Sequence, residues 1–227
     1  VTPEFPLTAC PTDRPRAVIF DWDHTLADNW DAIRAALNHT LVTFGQEAWT
    51  VEETRLRVKA SLRDSFPVLF GDRWEEAKQI FLGHFAQHHL ELLNPLPGSA
   101  ELLVHLKERG VYLAIVSNKR GPTLRLEVEH LGWRGYFGHV IGAEDAPADK
   151  PSPIPVSMAL EGSGIAPGPD VWFVGDTSID MECGHNAGCL PVLIRDPYPD
   201  DPALLQHPPR WHAPHCTRLV DWLTAIA

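Results

Sequence analysis

Two carboxylates one residue apart, Asp21 and Asp23 in the stretch RAVIFDWDHTLAD at 16–28, stand directly after four apolar residues. Acids this close at a strand end repel each other and are costly to desolvate, so a cation is expected beside them. Other apolar runs also end in chemically capable residues: Ser117-Asn118-Lys119, and Gly175-Asp176-Thr177-Ser178-Ile179-Asp180, with Asp149-Lys150-Pro151 in a loop after a third run. Several carboxylates can share a site with a hard divalent cation; magnesium takes oxygen ligands and keeps waters alongside one or two carboxylates and a phosphate oxygen. A carboxylate can also attack phosphorus to form an aspartyl phosphate, which water then hydrolyses. That chemistry needs a lysine, a small hydroxyl and backbone amides to hold the phosphoryl oxygens. It needs a second acid to protonate the leaving oxygen and then to activate water. Asp21 is placed for the attack and Asp23 for the acid–base role.

The elements that must position these groups are legible as short apolar runs at 16–20, 111–117, 138–142, 171–175 and 190–194. Helical periodicity lies between them at 99–109, 121–131, 154–162 and 178–187, and again at 217–226 after a proline-rich loop at 195–215. Strand–helix alternation with strands apolar throughout predicts an α/β fold, a Rossmann-like parallel sheet covered on both faces. Ligands of such sheets collect at the carboxyl ends of the strands, where all the clusters above fall. The alternation stops between Asp28 and Pro95. There, apolar residues recur at helical spacing in 30–44 and 72–93, with helix-starting boxes at Thr50/Glu53 and Asp72/Glu75. The expected organisation is a core at 1–28 and 95–227 with a helical cap domain inserted at 29–94.

Nineteen basic and thirty acidic residues leave a formal charge of −11, with no basic block, which argues against nucleic acid or an anionic membrane as partner. Cys10, Cys183, Cys189 and Cys216 form neither a CxxC pair nor a disulfide framework, as expected for a reduced, cytoplasmic protein. The proline-rich first fifteen residues read as a flexible arm rather than a signal, and no run is long enough to span a membrane. A monomer or homodimer is expected.

The set DWDHT at 21–25, SNK at 117–119, KPSP at 150–153 and GDTSID at 175–180, in this order, resembles the motifs of the haloacid dehalogenase (HAD) superfamily, within it the phosphatases similar to phosphoglycolate phosphatase. One paired acid is weak evidence of this; four motifs at successive strand ends are specific. The resemblance implies Asp21 as nucleophile, Asp23 as general acid and base, and Ser117, Asn118 and Lys150 as phosphoryl-binding residues. It implies Mg2+ bound by the Asp21 carboxylate, the Asp23 main-chain carbonyl and Asp176, with Asp180 in or just beyond the metal shell. The second acid, absent from the dehalogenases and phosphonatases of the superfamily, favours phosphate esters, and the substrate implied is a small phosphorylated metabolite. A phosphomutase similar to β-phosphoglucomutase shares the motifs, and a non-catalytic phosphoryl-binding module is the alternative of another class.

Some residues admit two readings. Ser117 and Asn118 could form a strand-to-helix turn, and Asp180 could cap its own helix. His24 stands where the superfamily usually has glycine, either as a tolerated turn residue or as a side chain reaching substrate. Arg55, Lys59 and Arg63 make a basic stripe, either a solvated face or, for Lys59 and Arg63, a specificity feature. His84 and His88 read as cap packing, Trp22 as a packing residue, and His207, His212, His215 and Cys216 as surface loop.

Overall fold

The computed structural model describes residues 11–58 and 62–226, less the side chains of 55, 56 and 62–64. In chain order the elements are β1 (Ala17–Phe20), β2 (Ala27–Asp28), α1 (Trp30–Thr43), α2 (Val51–Arg57), α3 (Leu62–Phe70), α4 (Trp74–His88), β3 (Asn94–Pro95) and α5 (Ser99–Glu108). They continue with β4 (Tyr112–Arg120), α6 (Gly121–His130), β5 (His139–Ala143), α7 (Ile154–Ala159), β6 (Val171–Gly175), α8 (Ser178–Asn186), β7 (Leu190–Ile194), β8 (Trp211–Ala213) and α9 (Cys216–Ala225). No helix among the described residues is long and apolar enough to cross a membrane.

The chain divides into two compact units, one of 1–27 with 95–227 and one of 28–94. In the first, six strands form a sheet in the order β5-β4-β1-β6-β7-β8, parallel at every pairing. β1 lies between β4 and β6, with Phe20 level with Ile115 on one side and Val174 on the other. β1 and β6 therefore end within one residue of each other, while β4 runs on to Arg120. Alternation along them sends Ala17, Ile19, Ala114, Val116, Val171 and Phe173 into one buried cluster, joined by Val156, Ala159 and Leu160 from α7 and the residue after it. The residues between these, Val18, Phe20, Leu113 and Ile115, are buried as well, which is why the runs are apolar throughout.

The helical unit has its own core, in which Leu37 and Leu41 of α1 meet Phe66 and Phe70 of α3 and Ala77 and Phe81 of α4. The Thr50/Glu53 box forms as expected, each side chain accepting from the other residue's main-chain N–H, and starts α2. The Asp72/Glu75 box does not form. Residues 71–73 make a 3-10 turn, α4 starts after Arg73 without a side-chain cap, and Arg73 pairs with Glu76 instead. α3 was not legible because Pro67 interrupts its pattern.

The region 195–215 is corrected from a loop: Trp211–Ala213 forms the sixth, edge strand, too short to show periodicity. Within the tail read as surface, His212 lies in this strand with Nε2 2.6 Å from the Arg195 carbonyl, and Cys216 is buried at the start of α9. α7 also stops at Ala159 rather than 162, with Gly162 and Gly164 at φ +71° just beyond.

Candidate active site

Past β1 the chain stays tied to its neighbour: the Asp21 N–H donates to the Val174 carbonyl at 2.8 Å. It then folds back, Leu26 and Ala27 both donating to the Trp22 carbonyl and His24 donating to the Ala27 carbonyl. This tight turn places His24 at φ +59°, a left-handed conformation that costs a non-glycine residue about 1 kcal/mol. The result is that Asp21 is buried while the Asp23 side chain retains 29% of its exposure.

Asp21 is met by Lys150. Its Nζ is 2.8 Å from Asp21 Oδ1 and 2.6 Å from Asp180 Oδ1, and it is buried. Burial by itself lowers a lysine pKa, but the charges of Asp180 and Asp21 outweigh it and the ammonium is held above its ordinary value. The Asn118 side chain fixes the Lys150 main chain from both ends, its Oδ1 accepting from the Lys150 N–H at 3.0 Å and its Nδ2 donating to the Lys150 carbonyl at 3.1 Å. Asp180 has two tasks: Oδ1 takes Lys150, while Oδ2 accepts from the Thr177 N–H and hydroxyl, closing the capping box of α8. Gly175 permits this, since a Cβ there would overlap the Asp180 Cβ and Cγ.

Asp23 is met by Lys119, whose Nζ is 2.7 Å from Asp23 Oδ1 and 2.6 Å from Glu127 Oε2. Burial would lower its pKa too, and Asp23 and Glu127 raise it instead. Glu127, on α6, is fully buried, and its Oε2 also accepts from the Trp22 indole at 2.6 Å. Trp22 is wholly buried and packs edge-on against Trp133. It is thus both the packing residue expected and an anchor for Glu127.

Ligand oxygens of Asp21, Asp176 and Asp180 come within 4.8 Å of one another, the set among the described residues that could hold a metal ion. Burial, then the like charges of Asp180 and Asp21, push the Asp176 carboxyl well above the usual carboxylate range, with Arg195 3.8 Å away as a partial counter-charge. Three buried oxygen donors, one of them with its charged form disfavoured by burial and by its acidic neighbours, fit a hard divalent cation.

Of the residues singled out from sequence, Asp21, Lys150, Asp176 and Asp180 meet in one cluster, and Asp23 joins Lys119 beside it. Ser117 is buried at the end of the β4 apolar run, its Oγ accepting from the Lys119 N–H at 3.3 Å. The Asn118 side chain, expected on the phosphoryl group, is committed to the Lys150 main chain. Lys59 lies outside the described residues, as do the side chains of Arg55 and Arg63. His84 and His88 pack as a run with His39, which stacks on His84 with ring centroids 4.4 Å apart. Lys119 stands in the SNK motif with no expected role of its own, and Glu127 belongs to none of the motifs. The signal was available: Glu127 falls on the helical stripe Leu124, Glu127, Val128, where an acid does not belong unless paired.

A parallel α/β sheet carrying paired acids after its central strand, with lysine and further acids at neighbouring strand ends, defines a hydrolase core of the Rossmann-like type. Residues 18–194 match the family model of the haloacid dehalogenase-like hydrolases. A phosphoglycolate phosphatase from Aquifex aeolicus is 32% identical over 78% of this chain and 84% of its own length. The pyrophosphatase PpaX of Halalkalibacterium halodurans is 31% identical over 78% and 82%. Among solved structures, a HAD-superfamily hydrolase from Ehrlichia chaffeensis covers 95% of this chain and 99% of its own, with 29% identity and a TM-score of 0.66. The chain belongs to the haloacid dehalogenase-like hydrolases.

Proposed function

We propose that this hydrolase is a phosphatase that cleaves a small phosphorylated metabolite, of the phosphoglycolate type, through an aspartyl phosphate. The observation that carries this is the buried cluster of Asp21, Lys150, Asp176 and Asp180 at the carboxyl edge of the sheet, next to a second acid two residues from the first. Relatives named as phosphoglycolate phosphatase and as pyrophosphatase support phosphoryl transfer to water as the shared chemistry.

In the first half-reaction an Asp21 oxygen attacks phosphorus, the bond from phosphorus to the leaving oxygen breaks, and Asp23 delivers a proton to that oxygen. In the second, Asp23 takes a proton from a water whose oxygen attacks the same phosphorus; the bond to Asp21 breaks and inorganic phosphate departs. Lys150 and the Ser117 hydroxyl hold phosphoryl oxygens, and Lys150 also keeps Asp21 aimed. Magnesium, when bound, supplies neutralisation of the charge on the phosphoryl group, and Asp21, Asp176 and the main-chain carbonyl of Asp23 would hold it. Asp180, with one oxygen on Lys150 and the other on Thr177, stands behind them as an orienting group.

A magnesium-dependent phosphate-release screen over metabolite esters tests the reading. Asp21→Asn should lower turnover by about four orders of magnitude or more, and an Asp21→Asn protein with full activity would overturn the mechanism. Magnesium at about one hundred times its dissociation constant should stabilise the protein by about 2.7 kcal/mol in urea unfolding, an effect that Asp176→Asn should abolish. Absence of phosphate release from every ester would instead leave a phosphoryl-binding module.

A further inference from the structure

Lys119 and Glu127 take no part in the two half-reactions above, yet both are buried beside the acid–base carboxylate. Glu127 sits on the sheet-facing side of α6 between Leu124 and Val128, where an apolar residue would pack without desolvating a charge. Replacing a buried ion pair by apolar residues of similar volume is often neutral or stabilising, so stability alone gives no reason for this pair. The geometry does. Glu127 Oε2 accepts from two groups that flank Asp23: the Trp22 indole at 2.6 Å, one residue before it, and Lys119 Nζ at 2.6 Å. Lys119 Nζ in turn is 2.7 Å from Asp23 Oδ1. Trp22 and Asp23 are chain neighbours on one turn, and both are tied through Glu127 to a single rigid helix.

We propose that Glu127 and Lys119 are positioning residues for proton transfer: Glu127 fixes Lys119, and Lys119 fixes the Asp23 carboxylate at the place where the leaving oxygen is protonated. This rests on the reading of Asp23 as the general acid. Lys119 acts on that acid directly, and Glu127 acts only through Lys119 and Trp22. A proton donor held in place by a lysine that is itself held needs little reorganisation when the leaving oxygen develops charge.

A misplaced general acid harms esters whose leaving group needs a proton and spares those whose leaving group does not. The test is kcat/KM, which reports only steps through departure of the first product, for 4-nitrophenyl phosphate, phenyl phosphate and 2-phosphoglycolate. Glu127→Gln keeps an acceptor for Trp22 but removes the charge that holds Lys119. It should lower kcat/KM for 2-phosphoglycolate by about ten- to a hundredfold, that for phenyl phosphate by less, and that for 4-nitrophenyl phosphate by no more than about threefold. Asp23→Asn should show the same order with larger losses. Equal losses across the series in Glu127→Gln, or none, with Asp23→Asn still graded, would overturn the positioning role and leave the general-acid reading intact. An ungraded Asp23→Asn would overturn both. Should Glu127→Gln not fold, Lys119→Met is read in the same way, with the same graded loss expected and an ungraded loss decisive against the proposal.

Discussion

The site contains two lysine bridges of the same plan. Lys150 joins Asp21 to the fully buried Asp180, and Lys119 joins Asp23 to the fully buried Glu127. Each acid of the pair thus receives a private cation, and each cation is held from behind by a carboxylate on a helix, α8 or α6. The bridges differ in what surrounds them. Lys150 lies beside the metal-capable carboxylates, and its rear acid also caps a helix; Lys119 lies against Asp23, and its rear acid is anchored by an indole. The lesson is that one charge-compensation device can serve two acids, which the proposed mechanism uses for two tasks, as nucleophile and as proton carrier.

The largest break in this comparison comes from removing each lysine. Lys150→Met and Lys119→Met each strand buried carboxylates and should each cost about 3–5 kcal/mol in urea unfolding. Their kinetics should part company: Lys150→Met should lose about a thousandfold in kcat/KM with good and poor leaving groups alike, whereas the Lys119→Met loss should grade with the leaving group. Identical kinetic profiles would dissolve the distinction. A smaller and one-sided perturbation is Gly175→Ala, whose added methyl pushes on Asp180. It should cost about 1–3 kcal/mol in thermal melts and reduce phosphate release without changing the leaving-group trend. The smallest effect is expected at His24, in the turn that follows the two acids. Relieving φ +59° with His24→Gly should stabilise the protein by about 1 kcal/mol while a substrate panel shows unchanged kinetics. A shifted substrate preference would assign the side chain to the substrate instead.

These two bridges also mark how far the sequence could be read. Asp21, Lys150, Asp176 and Asp180 were legible because each sits in a short motif after a strand whose apolar run ends abruptly. The five longer core strands were legible for the same reason, since burial on both faces keeps an apolar run at the centre of each. Glu127 had no such frame: its partners lie 8 and 105 residues away, and only its intrusion into a helical apolar stripe marks it. Asn118 was seen, but its side chain's use as a clamp on the Lys150 main chain depends on a residue 32 positions later. β8 was illegible because three residues carry no periodicity, and α3 because a proline broke the pattern that the helix tolerates.

The spacing of the bridges along the chain has a consequence during synthesis. Asp23 and Lys119 are separated by 96 residues, so at about 5–20 residues per second the ribosome takes roughly 5 to 20 seconds to supply the first of the two bridging lysines after the acids have been made. Lys150, and then Asp180 a further 30 positions on, come later still. Until Lys119 is made the nascent acid pair has neither of its two bridging cations, and β1, the central strand that bears it, has neither a complete β4 nor β6 to pair with. A chain released in that interval carries the pair of acids without either lysine that bridges them, so the proposed mechanism expects no partial activity from translational arrest there.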